Sequence, residues 1–153
     1  MARVGSHEVT AVLRIGLAVL AASAVVIGIW NAVWPEHFYA NFPGVALTPP
    51  FAEHYARDFG GATIGIGIVL VAATLFPRTV LVIPALLALL AFALPHAWFH
   101  LHHVGDATPE VAVLTVGLTL GQPVLALALL VIATVRWRGE RPPHRERVLP
   151  MEA

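Results

Sequence analysis

Four long apolar runs dominate this chain, from about Val12 to Trp34, Phe59 to Phe76, Thr79 to Leu101 and Val111 to Val135. Each is close to the roughly 20 residues that an α-helix needs to cross the hydrocarbon of a bilayer. Inside that hydrocarbon every backbone polar group must be satisfied within the protein, and runs this long and this apolar do so as helices. The expected fold class is therefore all-α, an integral membrane four-helix bundle. Composition agrees, with 58% hydrophobic and only 12% charged residues in a chain of 153. One bundle over residues 1–138 uses most of the length, and the polar stretch 139–153 reads as a flexible cytoplasmic tail.

Arginines orient the bundle. Pro77-Arg78 is so short a connection that the second and third runs form an antiparallel hairpin. Four spans then place Arg3, Arg14, Arg78, Arg136, Arg138, Arg141, Arg145 and Arg147 on one side, which is eight of the nine basic residues. The positive-inside rule makes that side, and both termini, cytoplasmic. The first run is expected to be retained rather than cleaved, because it exceeds a signal-peptide core of about 7 to 15 residues.

The opposite side gathers titratable groups of other kinds. Glu36, Glu53, Asp58, Asp106 and Glu110 lie there with His37, His54, His96, His100, His102 and His103. His96, His100 and His103 are spaced i, i+4, i+7, and at about 100° per residue a continuous helix would hold them within roughly 60° of one face. Imidazoles at the end of a membrane span need hydrogen-bond partners, a metal or a proton to carry. Antiparallel pairing brings Asp58 to about the depth of His100. On its own helix Asp58 falls one turn after His54, and Glu53 falls one turn before Arg57, a favourable order for an ion pair.

A second polar tract lies in the fourth run. Thr115, Thr119 and Gln122 repeat the i, i+4, i+7 spacing, and Pro123 frees a carbonyl one turn back. A mid-membrane glutamine must find its partners in the protein interior or in a bound cofactor. Gly61-x-x-x-Gly65 and Gly117-x-x-x-Gly121 are small-x-x-x-small patterns that favour close helix packing over a cavity. Phe42 to Phe51 is apolar yet broken by Pro43, Gly44, Pro49 and Pro50, so it reads as a lid over the outer mouth of the bundle. Trp30, Trp34, Trp98 and Trp137 sit near span ends, as interfacial aromatics do.

Three runs carry a resemblance: Trp34-Pro35-Glu36-His37-Phe38-Tyr39 with Phe42-Pro43-Gly44, Glu53-His54-Tyr55-Ala56-Arg57-Asp58-Phe59-Gly60, and Pro95-His96-Ala97-Trp98-Phe99-His100-Leu101-His102-His103. They resemble a family of small four-helix integral membrane proteins of actinobacteria, over most of residues 10–135. In topology the chain is also similar to DoxX-like bundles, through helix count and an Arg14-Ile15-Gly16 start. The resemblance implies a multi-pass protein of a bacterial plasma membrane and singles out the same residues. It supplies no reaction.

Three functions fit these residues. A transition-metal site would use His96 and His100, with His103 or His54 as a third nitrogen and Asp58 or Glu53 as the oxygen ligand. With no cysteine in the chain, an N/O donor set of this kind suits zinc, iron or copper, acting on a lipophilic substrate by oxidation or hydrolysis. Metal-free acid–base catalysis would use Asp58, Glu53 and His54 on an isoprenoid, quinone or epoxide. The third is a non-enzyme, either a lipid- or quinone-binding subunit or an accessory protein whose histidines satisfy one another; Thr115, Thr119 and Gln122 are the candidate cofactor-binding residues. Expected partners are membrane lipids and a lipophilic small molecule, with a homo-oligomer open and no nucleic-acid footprint.

Overall fold

The protein is described by a computed structural model over residues 4–47, 50–105 and 107–140. These residues form five α-helices: α1 Val4–Val33, α2 Pro35–Asn41, α3 Glu53–Leu75, α4 Thr79–Leu101 and α5 Pro109–Glu140, with one 3-10 turn at Val45–Leu47. No strand occurs among the described residues. α1, α3, α4 and α5 are each long and apolar enough to cross a membrane. The fold is thus the expected all-α bundle of four membrane-length helices, and the short α2 is an addition. Of the expected tail, 139 and 140 continue α5, while 141–153 lie outside the described residues, as does Asp106.

Each long helix buries one narrow stripe. Leu13, Leu17, Leu20 and Ala24 follow the i, i+4, i+7, i+11 spacing on α1, and Val82, Leu86, Leu89 and Ala93 repeat it on α4. These rows meet Leu70 and Ala73 of α3 and Ala126, Leu129 and Ala133 of α5 in a single core. Outside the stripes the helices stay apolar, with Ile15, Val26, Ile68, Val80, Val113 and Val131 all well exposed. A surface of aliphatic side chains suits hydrocarbon and not water.

The helices associate as two close pairs, α1 with α3 and α4 with α5, and the contacts between pairs are sparser. Glycines make the first pair close. A Cβ on Gly60 would lie 2.5 Å from the Ala32 amide nitrogen, and one on Gly28 would lie 2.9 Å from the Ile64 nitrogen. Gly67 meets Val25 in the same seam, two turns from Gly60. The packing glycines expected at 61 and 65 are therefore misplaced. Gly61 and Gly65 turn outward, and a Cβ on either would meet nothing within 4 Å, because they lie about 100° and 140° around the helix from Gly60.

One end of the bundle is covered. Pro35 starts α2 where its missing N–H costs nothing. Trp30 then pins α2 in place: its indole nitrogen donates to His37 Nδ1 at 2.9 Å, and its ring meets Phe38 edge-on at 5.4 Å. Phe38 in turn stacks on Phe42 at 4.8 Å. At the same end Arg57 bonds Glu53, as its spacing predicts, and donates to the Ala32 carbonyl at 2.6 Å. That carbonyl is one of the unpaired acceptors at the C-terminus of α1, so the arginine closes the helix end and fixes α3 to it.

Candidate functional site

Between the two helix pairs, beneath the cover, lies a cavity of about 860 Å³. Ligand sites for small molecules typically occupy about 300–1,000 Å³. On α4 its lining runs from Leu89 to His100, a depth of roughly 16 Å at about 1.5 Å per residue. Phe38, Phe42, Pro43 and Phe51 form the roof, which bears out the covering role expected of the 42–51 segment. Leu20, Ala24, Ile66, Leu89 and Leu125 form the deep walls. Val19, Gly117, Leu118 and Gly121 line the cavity and are also exposed on the outer surface. Gly117 and Gly121 thus leave open space at the cavity's edge, where close packing was expected.

Polar groups are few, and they are sorted by depth. At the covered end stand Asn31 of α1, His96 and His100 of α4, and Thr115 of α5. Thr115 is 2% exposed, and its hydroxyl has no hydrogen-bond partner among the described residues. Gly44 is what seals it: the chain passes so close that a Cβ there would fall on Thr115 Oγ1, and only the positive φ of 82° permits the approach. His96 stacks on Phe92 at 5.0 Å and lies 6.2 Å from Phe59, while His100 meets His96 edge-on at 4.5 Å. Asn31, His96 and His100 make ring or packing contacts but no hydrogen bonds among the described residues.

Deeper polar groups are partly satisfied by the protein. Thr63 donates to the Phe59 carbonyl at 2.7 Å, and Thr119 donates to the Thr115 carbonyl at 2.7 Å. Gln122 Nε2 donates to Ser23 Oγ at 3.2 Å, which links α5 to α1 halfway along both. Among the described residues that line the cavity there is no Asp, Glu, Lys or Arg.

These positions divide the expected site residues. Thr115, Thr119 and Gln122 all line the cavity, as do His96 and His100. The ligand set His96, His100, His103 and Asp58 is not assembled: among the described residues no three His, Asp or Glu side chains are arranged to hold a metal ion. Two physical causes separate them. α4 ends at Leu101, so the helical spacing does not extend to His103, which folds back to stack on Phe99 at 4.0 Å with its Nδ1 at 2.7 Å from the Phe99 carbonyl. Asp58 lies on the outward face of α3 with Ala62 and Gly65, where it meets His54 at 3.3 Å with 64% of its side chain exposed. Glu53 and His54 share that exposed surface, and neither they nor Asp58 border the cavity.

Asn31, Phe59 and Phe92 were not singled out by spacing, yet they line the site. Asn31 did carry a signal, as the only carboxamide in the first apolar run. The aromatic residues carried none, since phenylalanine is ordinary in a membrane helix. No family model, curated protein or solved structure matches this chain, so its own geometry is what describes the site.

Proposed function

We propose that this protein binds a neutral, lipophilic small molecule within the membrane. The molecule's hydrogen-bonding head lies under the cover, among Asn31, His96 and His100. Its apolar body lies along Leu20, Ala24, Leu89 and Leu125. The observation that carries this reading is the convergence of Asn31, His96 and His100, none with a hydrogen-bond partner among the described residues, at one end of an otherwise apolar cavity. A buried group left without a partner costs about 1–3 kcal/mol, and a ligand head that meets it recovers that energy.

Charge narrows the ligand class. With no ionic side chain among the described residues of its walls, these walls offer no charge to compensate a phosphate or carboxylate. A neutral carbonyl or hydroxyl suits the carboxamide, imidazole and hydroxyl groups present, and a planar head suits the flanking Phe59 and Phe92 rings. An isoprenoid- or quinone-like molecule has these properties. Acid–base catalysis by Asp58, Glu53 or His54 is not part of this reading, because none of them borders the cavity. The arginine-rich ends lie away from the cover, which supports a covered end outside the cytoplasm and a ligand drawn from the outer leaflet.

Native mass spectrometry of the full chain, released gently from membranes, tests this. Wild type is expected to carry a neutral adduct, and Asn31→Leu and His100→Phe to reduce its occupancy about 3- to 10-fold each, the worth of one hydrogen bond. An adduct consisting of anionic phospholipid alone, or a neutral adduct unchanged in the double variant, contradicts the reading.

A further inference from the structure

Gln122 sits halfway along the bundle, where a polar side chain is costly and must be partnered. Its single hydrogen bond, to Ser23, uses one N–H of a carboxamide that has two donors and a carbonyl acceptor. No described residue donates to Gln122 Oε1. The next residue, Pro123, has no N–H, so the Thr119 carbonyl loses the donor that an unbroken helix would supply one turn on. Thr119 and Gln122 are three residues apart and both line the cavity. The deep end of the cavity is therefore lined by two residues that carry acceptors, Gln122 Oε1 and the Thr119 carbonyl, to which no side chain among the described residues donates.

Helix glue alone does not account for this. Hydrogen bonds between membrane helices contribute little on average, and the long Ser23 contact leaves the glutamine's carbonyl unused. Gln122 is seven residues below Thr115, about 10 Å at the helical rise of 1.5 Å per residue. Between these levels the wall is apolar at Ile27, Phe92 and Leu118, and the hydroxyls of Thr63 and Thr119 are satisfied by carbonyls of their own helices.

We propose that Gln122 is a specificity-determining contact and that the ligand is bipolar, carrying a hydrogen-bond donor such as a hydroxyl about 10 Å from its head group. This rests on the binding function proposed above and adds a length and a second functional group to the ligand. The polar head is read by Asn31, His96 and His100, and the far hydroxyl donates to Gln122 Oε1 or the Thr119 carbonyl.

Straight-chain 1-alkanols and α,ω-alkanediols of graded length serve as probes, compared at equal membrane concentration by the thermal unfolding midpoint of the full chain in nanodiscs. In wild type, diols of one intermediate length are expected to reach half-maximal stabilisation at about 3- to 10-fold lower concentration than the matching alkanol, as one extra hydrogen bond implies. Gln122→Met, which keeps the shape and removes the amide, is expected to erase that advantage, so that diol and matching alkanol reach half-maximal stabilisation at the same concentration. A diol advantage that survives Gln122→Met overturns the proposal, and so does the lack of any preferred diol length in wild type. Should Gln122→Met fail to fold, the wild-type length profile decides by itself. His100→Phe separates the two layers: alkanol stabilisation that saturates and depends on His100, without diol preference, removes only the role of Gln122. If no probe stabilises saturably, the binding function falls as well.

Discussion

Gly44 and Thr115 together set the covered end of the cavity. Gly44 holds a φ of 82°, a region that costs an L-residue roughly 1–2 kcal/mol, and its missing side chain is the space that the Thr115 hydroxyl fills. Gly44→Ala adds that conformational cost to a contact that the packed Thr115 cannot yield. We expect the variant to lose about 2 kcal/mol or more of unfolding free energy, read from denaturation in mixed micelles, and to lose ligand occupancy with it. A variant as stable as wild type would show that the segment does not press on α5. At this scale the sequence was partly legible. Thr115, Thr119 and Gln122 were recognisable from spacing, and all three line the cavity. His103 was misread because its spacing matters only if the helix continues, and α4 stops two residues earlier. Asp58 was misread because depth along a bundle can be counted from sequence, whereas the direction a residue faces cannot.

Among the elements, α1 and α3 are held by backbone contact that only glycine allows. Gly60 and Gly61 are neighbours with opposite roles: a Cβ at 60 meets the backbone of Ala32, and one at 61 meets open space. Gly60→Ala is expected to destabilise the bundle by about 1–3 kcal/mol, the usual range for overpacking a tight interior. Gly61→Ala and Gly65→Ala are expected to be neutral or slightly stabilising, since alanine is the better helix former. Unfolding titrations of the three variants check this, and equal effects at 60 and 61 would contradict the packing seen here. The helices themselves were easy to read, because length and apolarity fix a membrane helix without reference to its neighbours. Which side of each helix faces inward was not, since a helix that is apolar all round shows no stripe in its sequence. The small-residue pattern at 61 and 65 was real, but it marks a face turned away from the interior.

Considered whole, the molecule is two helix pairs set apart by a cavity and covered at one end by α2 and the segment after it. The cover announced itself through Pro43, Gly44 and Pro50, which break an apolar run too short to span. The cavity did not, because its volume depends on how residues as distant as Leu20, Leu89 and Leu125 fail to close on one another. Its charge-free walls explain why the acidic and histidine-rich surface at that end misleads. Among the described residues of that surface most side chains face outward, and His96 and His100 are the ones that line the cavity.

Photo-cross-linking in lipid bilayers with a diazirine-bearing isoprenoid alcohol, mapped by peptide mass spectrometry, examines ligand binding in this cavity most directly. Binding as proposed predicts labels on interior positions such as Ile27, Phe92 and Leu89, suppressed by excess unlabelled alcohol. Labels confined to outward-facing residues such as Ile15, Ile68 and Val80, and indifferent to competitor, would contradict it.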